Sequence, residues 1–576
     1  MTFIVKQRTS CSATNHGGGK MLYQIYCTGE ILKNVQLEKL YDDDKYFVDM
    51  KLKEHPDKVL ETFMNMTSQT QNGRLTKEQL QQFVNSSFQE PGQEFETWIP
   101  TDWSENPTFL GKISDAKLKV WARELHELWK SLGRKIKEDV KIHSELYSQL
   151  YVPYPLVVPG GRFREYYYWD SYWIVNGLLL SEMYSTAKGM IENFLYHVER
   201  FGLIPNGGRI YYERRSQPPF LTLMMESYMN TKQDVEFLRK NIHLLEKEYE
   251  FWMKNRSVSV TVSESQYTLN QYAVKVDGPR PESYSDDVEL AETVPEEQRQ
   301  SLLMEIKSAA ESGWDFSSRW FIDSSGVNRG TLMDTKTSHI IPVDLNAILC
   351  RVERVLASFH RILGNSDRAE YFQKALQNRT TAVNTVLWNN AQGIWFDYNL
   401  ITNQSNAAFY ASNIFPLWAK CYSDTDEFVE DKVAEYLQWS KALSYKNGIP
   451  TSLSESGQQW DYPNAWPPLQ HVIIEGLDKS KSQKAKEIAV NLAQKWVRVN
   501  WEAYVKHKAM FEKYDVNEDG KPGGGGEYEV QLGFGWTNGV ALQLLDQYGN
   551  QLTSGTAIRV PWIWTLISIP VLVYCL

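Results

Sequence analysis

Recurring helical periodicity constrains this chain more than any other feature. Leu118, Trp121, Ala122, Leu125, Leu128, Trp129 and Leu132 fall at i, i+3, i+4, i+7 spacing after Asp115, a capping residue. Val235, Leu238, Ile242, Leu245, Tyr249 and Trp252 repeat the pattern, as do the segments Leu345 to Leu363 and Ile488 to Val499. Strand-like alternation is sparse, with Tyr267 to Val276 as one candidate. Helices that each carry an apolar stripe must bury it against one another. Gly/Pro-rich loops join these helices, and stacked helical hairpins satisfy both conditions, so the expectation is a mostly α architecture.

Composition narrows the function classes. With 576 residues, 42% hydrophobic and 23% charged, the chain can bury a large core and is not a disordered polymer. A net charge of −10 opposes nucleic-acid binding, which needs a basic face. Aromatic side chains make up 13%, including 20 Trp, enough for a large core and for stacking against the C–H faces of sugars. The five cysteines form no CxxC and are spread over the whole chain, so no disulfide scaffold is expected. Cys350, set among Leu345, Leu349, Val352 and Leu356, reads as a buried inert thiol, with one bridge between two other cysteines left open. No two of the ten histidines lie three to five residues apart, so a zinc-type helix motif is absent.

The two ends give different signals. Val560 to Leu576 is an uncharged run that reaches the last residue, at the short limit for spanning a bilayer and with nothing basic after it. It resembles a GPI-attachment signal, with Ser554, Gly555 and Thr556, or an earlier site near Gly549 and Asn550, as attachment positions. A spanning helix and a buried tail are the alternatives. The first residues hold only a short apolar stretch, Phe3 to Val5, unlike a secretory signal. Sequons begin at Asn65, Asn85, Asn255, Asn378 and Asn403. The expected organisation is an atypical N-terminal segment 1–24, a catalytic domain 25–549 and a membrane tail or attachment signal 550–576.

Four segments are too dense in Gly, Pro, Trp and charge to be plain connections. They are Pro159-Gly160-Gly161-Arg162-Phe163-Arg164-Glu165 running on to Trp173; Gln459 to Pro468; Glu311-Ser312-Gly313-Trp314-Asp315-Phe316; and Phe511-Glu512-Lys513-Tyr514-Asp515 through Gly523–Gly526 to Glu527-Tyr528 and Gly539. Repeated Trp-Asp steps pair a stacking face with a hydrogen-bond acceptor, which suits a polyhydroxylated ring. A run that starts like a calcium loop, Asp515 to Gly520, lacks the bidentate glutamate at its twelfth position, which is Gly526.

The first two segments resemble the two signature motifs of the trehalases, which hydrolyse α,α-trehalose to two glucose molecules. Ile204-Pro205-Asn206-Gly207, Arg215-Ser216-Gln217-Pro218-Pro219, Arg280-Pro281-Glu282 and the glycine-rich Glu527 loop are also similar to family segments, and the resemblance runs from about Ile25 to Gly549. It implies an (α/α)6 six-hairpin barrel and an inverting glycosidase that takes trehalose and water and needs neither cofactor nor metal.

Inverting hydrolysis requires one carboxylic acid to protonate the departing oxygen and one carboxylate to activate water. By resemblance the acid is Asp315, and Trp314 beside it would raise its pKa by desolvation. Glu512 carries over as the base, with Glu527 as the rival and otherwise a hydrogen-bonding partner of the substrate. Arg162, Arg215 and Arg280 match family positions that hold hydroxyls and nearby carboxylates. Trp169, Asp170, Asn206, Ser216, Gln217, Pro281, Glu282 and Gly313 carry over as further sugar contacts. Competing readings are another α-glucoside hydrolase or a disaccharide phosphorylase on the same barrel, and a non-catalytic sugar-binding surface protein.

Overall fold

The computed structural model describes residues 18–70, 73–423 and 428–555. Among these residues, twelve helices pair into six outer-then-inner hairpins. The outer helices are α1 (Ala116–Leu132), α3 (Tyr184–Phe201), α5 (Val235–Asn255), α7 (Ser366–Val386), α9 (Val429–Trp439) and α11 (Gln483–His507). The inner ones are α2 (Asp170–Leu180), α4 (Leu221–Lys232), α6 (Val343–Ile362), α8 (Phe415–Ala419), α10 (Pro467–Asp478) and α12 (Gly535–Tyr548). Each inner helix packs on the next, and α12 packs back on α2, so the ring closes as an (α/α)6 barrel.

Local chemistry sets the helix ends. Asp115 accepts hydrogen bonds from the backbone N–H groups of Lys117 and Leu118 at 2.9 and 3.1 Å and starts α1. Asp234 caps α5 through Phe237, and Ser482 caps α11 through Ala485. Pro467 opens α10, where its missing N–H costs nothing. The outer helices keep exposed polar faces, whereas α2 and α10 are buried almost all round, as inner-wall helices must be.

Ring closure depends on two glycines. Gly177 of α2 lies against Gly539 of α12: a Cβ on Gly177 would fall 2.9 Å from the Gly539 Cα, and one on Gly539 only 2.1 Å from the Trp173 carbonyl oxygen. Nothing larger fits at that crossing.

Two sequence expectations change here. The strand candidate at Tyr267–Val276 is the second arm of a hairpin, Ser257–Val262 with Ser265–Asn270, and it ends at Asn270 because its partner strand begins at Ser257, the residue opposite. Cys350 is not a free thiol: it is bridged to Cys421 and ties α6 to the residues just after α8. Its apolar surroundings are as expected, but they conceal a partner 71 residues away. Residues before α1 form a helical unit of their own against the barrel. The helices Gly18–Tyr26, Glu30–Leu37, Asp44–Val48, Pro56–Ser68 and Lys77–Ser87 enclose their own apolar cluster, which Tyr167, Tyr211 and Tyr212 complete from the barrel side. The first of these helices runs across position 25, the expected domain start, and the C-terminal run from Val560 lies outside the described residues.

The seam gives a direct test. Gly539→Ala forces its methyl onto backbone that cannot yield, and should destabilise the chain by about 1–3 kcal/mol or more, read as a lower denaturation midpoint. Gly111→Ala, where an added Cβ meets nothing within 4 Å, serves as the control. Equal midpoints for the two variants would show that the seam has slack.

Candidate active site

Four of the six inner helices begin at or just after residues that line one cavity. Asp170 is the first residue of α2, Gln217 precedes α4, Trp466 precedes α10, and Trp536 lies in the first turn of α12. All four line the cavity with Arg162, Asn206, Arg215, Arg280, Glu282, Gly313, Asp315, Glu512, Glu527 and Tyr528.

Each motif reaches the cavity for a local reason. The helix Glu296–Ser312 stops at Gly313, whose φ of +77° suits glycine, and a Cβ there would strike the Trp169 ring at 2.8 Å. The Ser312 hydroxyl then accepts the Trp314 N–H at 3.0 Å, and Asp315 follows at the cavity wall. Glu512 is fixed from both sides. Its N–H donates to the Gln531 carbonyl at 3.1 Å, and its own carbonyl accepts the Trp536 indole N–H at 3.1 Å.

The two carboxyls have unlike surroundings. Burial pushes Asp315 up to about 7, with Arg280 and Arg215 pulling it down and Glu527 adding to the rise. Burial also raises Glu512, opposed by the Lys513 ammonium and by the Tyr528 hydroxyl, which donates to Glu512 Oε1 at 2.9 Å. The second oxygen, Oε2, is buried without a hydrogen-bond partner among the described residues. Asp170 is held well above the carboxylate range, first by burial and then by Glu512 and Asp315.

The three arginines are neutralised pairwise. Arg162 forks onto Asp43 through Nε and Nη2 at 2.6 and 2.8 Å. Arg215 pairs with Glu282 and donates to Asn206 Oδ1 at 3.1 Å. Arg280 spans Asp287 and Glu527, each at 2.6 Å. Glu527 also accepts from the Ser283 hydroxyl at 3.2 Å, and Gln217 accepts the Trp169 N–H at 3.1 Å. Planar forks fixed in this way present their remaining N–H groups in set directions.

Tryptophan forms the rest of the wall. Trp460 stacks on Trp466 with centroids 3.8 Å apart, Trp314 stacks on Trp460 at 5.5 Å, and Trp169 and Trp536 meet edge-on at 5.8 Å. Trp314 stands behind this wall, fully buried, and does not line the cavity. Four flat apolar faces, ringed by charged hydrogen-bonding groups, suit a ligand with many hydroxyls.

Two expected contacts are placed elsewhere. Ser216 spends its hydroxyl on the Ile204 carbonyl at 2.7 Å and its N–H on Glu311, so it braces the loop behind the cavity. Pro281 faces a separate small cavity with Tyr23, Cys27 and Lys307. Conversely, Tyr528 lines the cavity and Asp43 holds Arg162, and neither is among the expected site residues. Tyr528 carries a local signal, since it follows Glu527. Asp43 carries none, because it lies 119 residues from the arginine it holds.

Burial at Asp315 has a measurable consequence. An unfolded aspartate titrates near 3.9, so as the pH rises from about 4 to about 7 the unfolded chain releases a proton that the folded chain retains. The folded state therefore loses stability across that window. Asp315→Asn escapes the loss, so its melting temperature relative to the unsubstituted chain should climb between pH 4 and pH 7 and level off above. A difference that does not vary with pH would exclude a buried, proton-holding Asp315.

The chain matches the family model described as Trehalase over residues 39–549. It is 54% identical to the trehalase of Homo sapiens over 532 residues, covering 92% of this chain and 90% of that one. Identity to the trehalase of Apis mellifera is 49%, covering 92% and 85% of the two chains. Among solved structures, the neutral trehalase of Saccharomyces cerevisiae is similar with a TM-score of 0.54 and 26% identity, over 68% of this chain and 73% of that one.

Proposed function

The chain belongs to the trehalase family, and from that premise we infer that it hydrolyses α,α-trehalose to two glucose molecules as an inverting glycoside hydrolase. Within that reaction we assign Asp315 as general acid and Glu512 as general base. The observation that carries the assignment is their contrast within one cavity. Asp315 is buried so that it keeps its proton to about pH 7, while Glu512, also raised by burial, faces an ammonium and a hydroxyl that favour its carboxylate and has one oxygen without a hydrogen-bond partner.

The steps follow from that contrast. Asp315 gives its proton to the oxygen bridging the two glucose units as the C1–O bond on one side breaks. Glu512 takes a proton from water, whose oxygen attacks that C1 from the opposite face, and positive charge develops at the sugar ring between the two events. The attacked unit leaves as β-glucose and the other departs as α-glucose. Arg162, Arg215 and Arg280, with Asn206, Gln217 and Glu282, orient the hydroxyls, and Trp169, Trp460, Trp466 and Trp536 exclude water from the reacting bond. Glu527, locked to Arg280 and Ser283, suits a substrate partner better than a base.

Asp315→Asn and Glu512→Gln should each cost about 10²–10⁴-fold in kcat on trehalose while the chain stays folded. Near-normal turnover in either variant would overturn the role of that residue. The kcat/KM of the unsubstituted chain should fall as the pH rises through about 7, because the acid must be protonated. Proton NMR of fresh product should show equal α- and β-glucose. Maltose and sucrose turned over as fast as trehalose would point to a broader α-glucosidase.

We also propose an extracellular, membrane-attached glycoprotein. Three features support this: a disulfide, rare in reducing compartments; sequon asparagines Asn65, Asn85, Asn255, Asn378 and Asn403, all exposed; and the apolar terminal run that resembles a GPI signal. No helix among the described residues is long and apolar enough to cross a membrane. Deglycosylation should lower the apparent mass, and a phosphatidylinositol-specific phospholipase should release activity from membranes. Activity retained on the membrane after that treatment would favour a spanning tail.

A further inference from the structure

Lys513 follows the assigned base directly, and its side chain is fully buried. Its Nζ donates to Gln459 Oε1 at 2.6 Å and lies 3.5 Å from Glu512 Oε2. The same ammonium sits 4.8 Å from the Trp466 ring centre and 5.4 Å from that of Tyr528. Gln459 in turn donates its Nε2 to the main-chain carbonyl of Asp315 at 2.5 Å. The acid and the base, 197 positions apart by their numbers, are thus linked through two side chains.

A buried ammonium is costly unless a negative charge answers it. The Gln459 oxygen and two aromatic faces solvate it without neutralising it. Among the described residues, Glu512 is the carboxylate within 4.0 Å. The glycine-rich loop rests on the same bridge. A Cβ on Gly523 would come within 2.9 Å of Lys513 Cγ, and one on Gly526 within 2.8 Å of Gln459 Cδ. The loop that carries Glu527 and Tyr528 therefore packs directly against Lys513 and Gln459.

We propose that Lys513 is a positioning residue for hydrolysis: its ammonium supplies the charge against which Glu512 works as a carboxylate, and through Gln459 it fixes that carboxylate relative to the backbone of Asp315. This rests on Glu512 being the general base. The other ionisable groups facing Glu512 are Tyr528 from the glycine-rich loop, Arg162 from the first motif, and Asp170 at the start of α2. Asp170 opposes an ionised Glu512 whenever it is itself charged, and Arg162 is already spent on Asp43. Lys513 is therefore the cation that decides.

The test uses the full chain with Lys513→Met and Lys513→Arg. The pH profile of kcat/KM on trehalose should have its acid limb moved up by about one unit or more in Lys513→Met, because the base then protonates more readily. The basic limb, set by Asp315, should stay in place, and Lys513→Arg should hold the acid limb near its original position. An activity loss in Lys513→Met that is uniform across pH would overturn the proposal, since a lysine that only anchors the loop predicts that result.

A second measurement needs no turnover. Glu512→Gln leaves the ammonium unanswered and should lower the melting temperature, whereas the double variant with Lys513→Met should melt no lower than Lys513→Met alone. Additive losses, or a double variant that fails to fold, would overturn the pairing. If the unsubstituted chain did not hydrolyse trehalose, the functional reading would fall, while this cycle would still decide whether Lys513 and Glu512 act as a pair.

Discussion

The contact of Gly177 with Gly539 is the constraint on which the rest of the structure depends. A ring of six inner helices closes only if the last can approach the first, and here the approach is near enough that a single methyl would meet a carbonyl oxygen. That seam does more than complete a fold. It carries Trp169 and Asp170 at the head of α2 and Trp536 at the head of α12 to the same cavity. Trp536 in turn holds the Glu512 carbonyl, so the position of the assigned base follows from how tightly the barrel closes.

Buried charge organises the second level. Lys45, Asp49, Glu94, Glu165 and Arg209 form one buried network that joins the N-terminal helices to the first motif loop, and Asp43 at the edge of the same helices holds Arg162. Such networks are poor sources of net stability, because desolvating the ions consumes much of their attraction. They are good at fixing geometry, because removing one partner strands the other. Placed around a cavity, they set the directions in which guanidinium and carboxylate groups can meet hydroxyls. The N-terminal helices are therefore part of the active site's frame as well as a cover over the barrel.

The sequence disclosed these levels unevenly. Long amphipathic helices such as α1, α5, α6 and α11 could be read because their apolar stripes repeat over four or more turns. The N-terminal cluster could not, because its helices are short and three tyrosines from distant loops complete its core. The strand after Tyr267 ends sooner than its alternation suggests because a partner's end leaves no mark on the strand itself. Cys350 shows the same blindness, with its apolar neighbours visible and Cys421 not. Nearly every expected sugar contact lines the cavity, and motif resemblance is what pointed to those positions. Spacing alone could not choose Asp315 or Glu512 among 71 acidic residues. Ser216 and Pro281 carry over by the same resemblance, and each faces away from the residues beside it that line the cavity.

A loop so rich in glycine ends at the cavity for a steric reason. Gly523 and Gly526 have side chains of Lys513, Asn464 and Gln459 where their own Cβ atoms would be. The loop is thus packed against the bridge between the two assigned catalytic carboxyls, and its close fit brings Tyr528 to Glu512 and Glu527 to Arg280. A loop with ordinary side chains would have to stand off from that bridge, and both contacts would lengthen. The glycines are therefore better understood as allowing close approach than as providing flexibility: they let one short segment reach both Glu512 and Arg280 while Lys513 stays covered from water.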